Sequence, residues 1–120
     1  MQSSIDHSVQ GRPALHLTDE QASVIRAALQ EIRDEHRRRL EENEELFRSL
    51  VSDASVDAAE RQAARLAASH ALEVCQQASE ALAALEDGSY GRCVGCGEPI
   101  PFERLEVLPL TQSCIACPSV

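Results

Sequence analysis

The stretch "CVGCGEPIPFERLEVLPLTQSCIAC", residues 93–117, contains two Cys-x-x-Cys pairs separated by seventeen residues. Each pair can present two thiolates from one tight turn, and four thiolates complete the tetrahedral shell of a structural zinc ion. The predicted ligands are Cys93, Cys96, Cys114 and Cys117. Gly95 and Gly97 allow the backbone angles and close approaches that such a turn needs. The sequence therefore predicts one structural Zn(2+), with no open position for catalysis, whose binding folds a module with little core.

The cysteines could instead be unrelated free thiols or form disulfides. Five cysteines are an odd number, and paired knuckles in a reducing compartment favour metal over disulfides. The N-terminus has no charged-then-apolar signal pattern, and no stretch reaches the roughly 18 apolar residues of a membrane span. We therefore expect a cytoplasmic protein that does not bind a membrane.

Composition and charge limit the possible folds and partners. The chain has 120 residues, 43% of them hydrophobic but only 2% aromatic, too few for an ordinary globular core. Eleven basic residues, all arginine, stand against 20 acidic ones, which gives a net charge of −9. Because nucleic-acid binding depends on basic clusters, we expect no direct specific DNA binding. A partner with a basic channel or groove fits the charge better.

A long helix is predicted from Thr18 to about Val51, since no glycine or proline interrupts this run. Thr18 and Gln21 have the spacing of a capping box at its start. Residues recurring every three or four positions place one narrow stripe along the helix, which is typical of pairing with a single partner helix. The stripe consists of Ile25, Leu29, Ile32, His36, Leu40, Asn43, Phe47 and Leu50. The other faces carry acidic residues four positions before an arginine, a spacing that predicts ion pairs along the helix: Asp34–Arg38, Glu35–Arg39 and Glu44–Arg48.

A second helix is predicted from about Asp57 to Glu86, where eleven of thirty residues are alanine. Its stripe consists of Ala64, Ala68, Ala71, Cys75, Ala78, Leu82 and Leu85. Small residues facing large ones permit close antiparallel packing, and the short break near 52–58 suits a helical hairpin. Gly88 is predicted to end the second helix in the left-handed conformation.

These elements predict a mainly α fold, a long antiparallel helical hairpin (coiled coil) followed by a small four-cysteine zinc finger. We divide the chain into a flexible N-terminal arm (1–17), the hairpin (18–87) and the finger (88–120). The arm is assigned because residues 1–16 contain Gly11 and Pro13 among polar residues and show no periodicity.

The finger region carries a dense set of motif residues around its two knuckles: Gly88, Tyr90, Gly91, Cys96, Gly97, Ile100, Arg104, Leu105, Pro109 and the closing Cys-Ile-x-Cys at 114–117. In these residues it resembles the zinc finger of the DksA/TraR family of bacterial RNA polymerase regulators. Family members also place a long helical hairpin directly before this finger. The resemblance implies that the zinc end docks on the rim of the polymerase secondary channel, with Arg104 a possible rim contact. It also implies that the coiled coil brings acidic tip residues towards the polymerase active site.

The tip departs from the family pattern of Asp-x-x-Asp-x-Ala. This chain has Asp53 and Asp57 four positions apart. Ungapped counting from the first cysteine favours Asp53 as the second family aspartate, whereas the local Asp-x-Ala string favours Asp57 with Ala59. A third interpretation makes Asp53 a turn residue and Asp57 a helix N-cap. All three residues are therefore predicted tip residues, and the alternatives stay open.

The places where some family members bind the alarmone ppGpp are occupied here by His70, Gln77 and Pro118. None of them is a firm cation, so we do not expect ppGpp sensitivity. We expect a monomeric, non-enzymatic transcription regulator that binds RNA polymerase and modulates promoter open complexes. One alternative is a zinc-clasped coiled-coil adaptor for a different protein, and another is a Gre-like transcript-cleavage or elongation factor.

Overall fold

The computed structural model describes residues 15–117, and within them the fold is mainly α-helical. Helix α1 runs over Asp19–Val51, α2 over Ala58–Asp87 and the short α3 over Phe102–Val107. Arg92 and Pro99 form an isolated antiparallel bridge. The predicted class, two long packed helices followed by a cysteine module, is confirmed. Residues 1–14 of the predicted arm and the last three residues lie outside the described part.

Helix α1 begins at the predicted capping box. The Gln21 amide donates to the Thr18 hydroxyl at 3.0 Å, and the Thr18 amide donates to Gln21 Oε1 at 3.1 Å. Asp19 and Glu20 occupy the first turn, where negative charge is favoured by the unpaired amides of a helix start. Two backbone donors at this end are thus satisfied by side chains of the chain itself.

Helix α2 ends as predicted at Gly88, whose φ is +85°. The amides of Ser89 and Tyr90 both donate to the Ala84 carbonyl, at 3.0 and 3.2 Å. This is the hydrogen-bonding pattern of a helix closed by a left-handed residue, a conformation that glycine adopts without steric cost.

By internal contacts the described residues divide into two compact units, one comprising 15–29 together with 80–117, the other Gln30–Ser79. The first unit holds the largest fully buried side chains, Ile25, Leu29, Ile100 and Leu105. Its core joins both helix termini to the cysteine module, since Leu85, Tyr90 and Cys93 belong to the same cluster. The cysteine module therefore shares a hydrophobic core with the helices of this unit and does not have a separate core of its own.

In the second unit the two helices pack through small residues. Ala64, Ala71 and Ala78 are 5%, 2% and 0% exposed, and the predicted stripe of α1 faces them with residues that are all at least half-buried. The Cys75 thiol lies 3.5 Å from the Arg33 carbonyl, a distance that brings the helix backbones close together. The predicted packing of the two long helices is confirmed, and the predicted stripe residues are buried or half-buried.

Charged side chains cover the outer surface of α1. The predicted pair Glu35–Arg39 forms at 2.8 Å, and Arg38 also binds Glu35, at 3.1 Å. Arg48, predicted to pair with Glu44, instead lies 2.6 Å from Glu45. These exposed pairs contribute little to stability. None of the helices in the described part is long and apolar enough to cross a membrane.

Candidate zinc site and helix turn

The structure brings the four predicted cysteine ligands together. The Sγ atoms of Cys93, Cys96, Cys114 and Cys117 all lie within 4.8 Å of one another. Zinc–sulfur bonds of about 2.3 Å in a tetrahedron place the sulfurs about 3.8 Å apart, and Cys96 Sγ lies 3.8 Å from Cys114 Sγ. All five cysteines fall within the described residues, and none is in a disulfide. The cluster therefore fits one tetrahedral zinc ion with a closed shell.

The first knuckle, residues 93–97, is shaped by its backbone. The Gly97 amide donates to the Cys93 carbonyl at 2.8 Å, and the Cys93 amide donates to the Glu98 carbonyl at 2.9 Å. Gly97 has a φ of +78°, a conformation that favours glycine. A Cβ at Gly95 would lie 3.2 Å from the Cβ of Cys117. The first glycine thus makes room for the opposite knuckle, and the second allows the turn.

Electrostatics in the cluster favour binding of a cation. Amide hydrogen bonds, chiefly from Cys114 and also from Cys96, lower the pKa of the Cys93 thiol to about 6. The neighbouring sulfurs of Cys96 and Cys114 raise the pKa of Cys117 to about 12. Four thiolates so close together repel one another, which disfavours ionisation of all four, whereas a dication at their centre stabilises every thiolate. Zinc supplies that charge and holds the two knuckles together.

The loop between the knuckles is anchored by residues outside the ligand set. Tyr90, 5% exposed, donates its hydroxyl to the Pro109 carbonyl at 2.7 Å, and its burial raises its pKa to about 12. Leu105 on α3 is fully buried. Arg104, the predicted rim contact, is half-buried, and its Nε donates to the Ser113 carbonyl at 3.0 Å. Arg104 therefore positions the backbone just before the second knuckle, and its contact with a partner stays a prediction.

The turn between α1 and α2 contains the predicted tip residues. Asp53 Oδ1 accepts from the Ser55 amide at 2.9 Å and from the Ser55 hydroxyl at 2.7 Å. The hydroxyl bond and then the amide bond lower the pKa of Asp53. Asp57 Oδ1 accepts from the Glu60 amide at 2.9 Å, which is the bond of an N-cap. Both aspartates and Ala59 are exposed.

The turn and cap roles weighed for the two aspartates are thus observed. Neither role conflicts with contact to a partner, because both side chains are at the surface. The part that Asp53, Asp57 and Ala59 play in function stays a prediction.

The structure describes two of the three positions compared with a ppGpp site. His70 is exposed on α2, and its ring centroid lies 6.4 Å from that of His36. Gln77 is also exposed, and Pro118 lies outside the described residues. The expectation of no ppGpp sensitivity therefore still rests on residue type.

Sequence reasoning missed His16, which was assigned to the flexible arm. Its Nε2 lies 2.8 Å from the Ile100 carbonyl, and the next residue, Leu17, is only 8% exposed. The last residues of the arm are therefore docked. Apart from the apolar pair Leu15 and Leu17, the arm offers no signal for this, because the partner is a backbone carbonyl 84 positions away.

Comparison with known proteins agrees with this geometry. Residues 88–118 match the prokaryotic DksA/TraR C4-type zinc finger. General stress protein 16O of Bacillus subtilis (strain 168) is 33% identical over 64 residues, 53% of this chain and 35% of that protein. The match thus spans about a third of that relative.

The similarity to a solved structure covers more of the fold. The structure of transcription factor DksA2 from Pseudomonas aeruginosa superposes with a TM-score of 0.74 at 27% identity, over 84% of this chain and 82% of that chain. The superposition includes both long helices as well as the finger, because the finger alone is about a quarter of the chain. Residues 88–118 thus match a DksA/TraR C4-type zinc finger, and the fold of the chain is similar to that of the transcription factor DksA2.

Proposed function

We propose that this protein is a non-enzymatic transcription regulator that binds RNA polymerase through the secondary channel and modulates promoter open complexes. The observation that carries the proposal is the combination of a DksA/TraR C4 finger with the fold of a DksA transcription factor over 84% of the chain. The net charge of −9 supports a partner with a basic channel and argues against direct DNA binding.

The turn between α1 and α2 is, in this proposal, the part directed towards the polymerase active site. Asp53 and Asp57 place two exposed carboxylates within five residues, each with one oxygen held by the turn. A carboxylate held in this way changes little on binding, so its charge can act on a basic or metal-bearing site at small entropic cost. The aspartates would then alter the polymerase rather than provide most of the docking energy.

The zinc finger is the proposed docking element. Zinc and the hydrogen bond from Arg104 to Ser113 hold the second knuckle in place. The aliphatic part and remaining nitrogens of Arg104 could meet the channel rim at the same time. An Arg104→Lys protein should keep its zinc and its charge but lose the planar guanidinium geometry. Weaker polymerase binding by a fully zinc-loaded Arg104→Lys protein would support this contact, and unchanged binding would remove it from the proposal.

The experiment that tests the whole proposal combines binding and promoter assays. Tagged protein should retain core RNA polymerase in a pull-down, and it should change the lifetime of open complexes at a responsive promoter. The double variant Asp53→Asn, Asp57→Asn keeps the turn and cap hydrogen bonds, because asparagine caps a helix about as well as aspartate. We expect it to bind the polymerase nearly as well as the wild type but to lose the effect on open complexes.

A matched control removes the same charge elsewhere. Glu41 and Glu42 are both exposed on α1, so Glu41→Gln, Glu42→Gln should behave as wild type in both assays. Failure of the wild type to bind polymerase would overturn the proposal and favour the adaptor alternative. Cleavage of backtracked RNA that depends on Asp53 and Asp57 would instead identify a Gre-like factor.

A further inference from the structure

Residues 15–18, which we call the strap, lead into α1 and pack against the cysteine module. Leu17 is 8% exposed and belongs to the same core cluster as Ile100 and Leu105. Thr18, the last residue of the strap, caps α1 through Gln21. The strap therefore contacts the finger at one end and sets the start of a helix at the other.

His16 makes the polar contact between the strap and the finger. Its Nε2 lies 2.8 Å from the Ile100 carbonyl oxygen, which can only accept, so Nε2 carries the proton and donates. Its other ring nitrogen, Nδ1, is buried and has no hydrogen-bond partner among residues 15–117. An unpaired buried polar atom destabilises the docked state. The ring stays docked nonetheless, so the remaining contacts must outweigh that penalty.

Gly91 provides the space for the His16 ring. A Cβ at position 91 would lie 2.8 Å from His16 Cε1, closer than non-bonded carbons approach, so only glycine permits this contact. The Ile100 amide donates to the Gly91 carbonyl at 2.7 Å. The Ile100 backbone is thus held by Gly91 through its amide and by His16 through its carbonyl.

The hydrogen-bonded residues Gly91 and Ile100 lie next to the backbone that supports the first knuckle. Arg92 and Pro99 are bridged, and the Cys93 amide donates to the Glu98 carbonyl at 2.9 Å. The ligand Cys93 follows Gly91 by two residues. The ring of His16 therefore contacts the end of the short antiparallel pairing of residues 91–93 with 98–100, and the first knuckle extends from the other end of that pairing.

We propose that His16 is a positioning residue that couples zinc binding to the order of the strap and of the first turn of α1. Zinc fixes the knuckle, the fixed knuckle presents the Ile100 carbonyl and the Gly91 surface, and these hold the strap that caps α1. Coupling between two binding events is reciprocal. Docking of the strap must therefore raise the affinity for zinc by the same factor by which zinc raises docking of the strap.

The first test measures zinc affinity of the full-length chain by competition with a chromogenic chelator. His16→Ala should bind zinc roughly two- to tenfold more weakly than the wild type, the factor that corresponds to one net hydrogen bond. His70→Ala is the matched control, because His70 is an exposed histidine in the other unit, and it should bind zinc as the wild type does. Equal affinities of His16→Ala and wild type would overturn the proposal.

Two further variants separate the hydrogen bond from the bulk of the ring. Gln at position 16 retains an N–H donor at a reach similar to Nε2, whereas Phe retains a ring without a donor. His16→Gln should recover most of the zinc affinity, and His16→Phe should not. The opposite order would show that the ring only fills space. The comparison of His16→Gln with His16→Phe tests the role of the hydrogen bond even if His16→Ala folds poorly.

The reciprocal test follows amide hydrogen exchange in the zinc-loaded protein. The Gln21 and Ala22 amides donate to Thr18, at 3.0 and 2.8 Å, so they report the order of the first turn. In His16→Ala both should exchange several-fold faster than in the wild type, while amides of Ala68 and Ala71 in the other unit should not change. Unchanged exchange at Gln21 and Ala22 would overturn the coupling even if zinc affinity fell.

Discussion

The burial of Leu29 gives a quantitative test of how the unit that contains the finger is held together. Leu29 is 0% exposed in a core that also contains Ile25, Leu85 and Ile100. Leu29→Ala removes three carbons, one methine and two methyl groups, from this core, and such changes cost about 2–5 kcal/mol depending on how far the site collapses. The same core cluster contains the zinc ligand Cys93, whose coordination limits how far the core can relax, so we expect a value of about 3 kcal/mol or more.

Leu46→Ala is the matched control because Leu46 lies on the same helix but is 47% exposed. Both variants make the same Leu→Ala change within α1, so the small change in helix propensity is common to both. They differ mainly in how much apolar side-chain area is buried at the mutated position. Urea unfolding of the zinc-loaded proteins, followed by helical circular dichroism, measures both. With a slope of about 1–3 kcal/mol per molar urea, Leu29→Ala should lower the midpoint by at least about 1 M and Leu46→Ala by much less. Equal shifts for the two variants would refute the core assignment.

Three other predictions address the zinc site and the turn. Cys114→Ser should reduce the bound zinc, measured by elemental analysis, from one per chain to a small fraction of that, because one missing thiolate opens the shell; full zinc occupancy would contradict this. Adding zinc to metal-free protein at pH 7 should release protons, measured with a pH indicator, because Cys117, with a pKa raised to about 12, must ionise. Cys93, with a pKa lowered to about 6, is already largely ionised at pH 7, so fewer than four protons should be released per zinc ion bound. The affinity for zinc should fall as the pH falls from 7 to below about 6, because Cys93 then becomes protonated as well. Asp57→Ala should lower the free energy of unfolding by about 0.5–2 kcal/mol through loss of the bond to the Glu60 amide, whereas Asp57→Asn should be nearly neutral in the same urea titration.

The sequence predicted the parts of the fold that depend on local periodicity or on ligand spacing. In the α1 stripe, the alanine stripe of α2 and the capping box of Thr18 and Gln21, each residue is three or four positions from the next. These patterns can therefore be recognised from local sequence alone. The cysteine cluster was predictable across seventeen residues because metal coordination leaves few alternatives for four cysteines in two pairs.

The features that were not predicted depend on contacts between distant segments. Docking of His16 on Ile100 joins residues 84 positions apart, and its acceptor is a backbone carbonyl that every residue possesses. The short helix α3 was not predicted, since six residues show too little periodicity to distinguish a helix. Arg48 was paired with the wrong neighbour because exposed ion pairs of similar spacing differ little in energy.

The alanine seam of the second unit has a consequence for which substitutions the chain can accept. Ala64, Ala71 and Ala78 are almost fully buried, and any larger side chain there must push two helix backbones apart along their length. The turn residues Asp53 to Asp57, by contrast, are exposed or half-buried and are joined mainly by local hydrogen bonds. New side chains at the turn can therefore be introduced without rebuilding the helices that carry it. Single substitutions at the turn can therefore change which partner the turn recognises. A change in the distance between the helices needs several simultaneous substitutions.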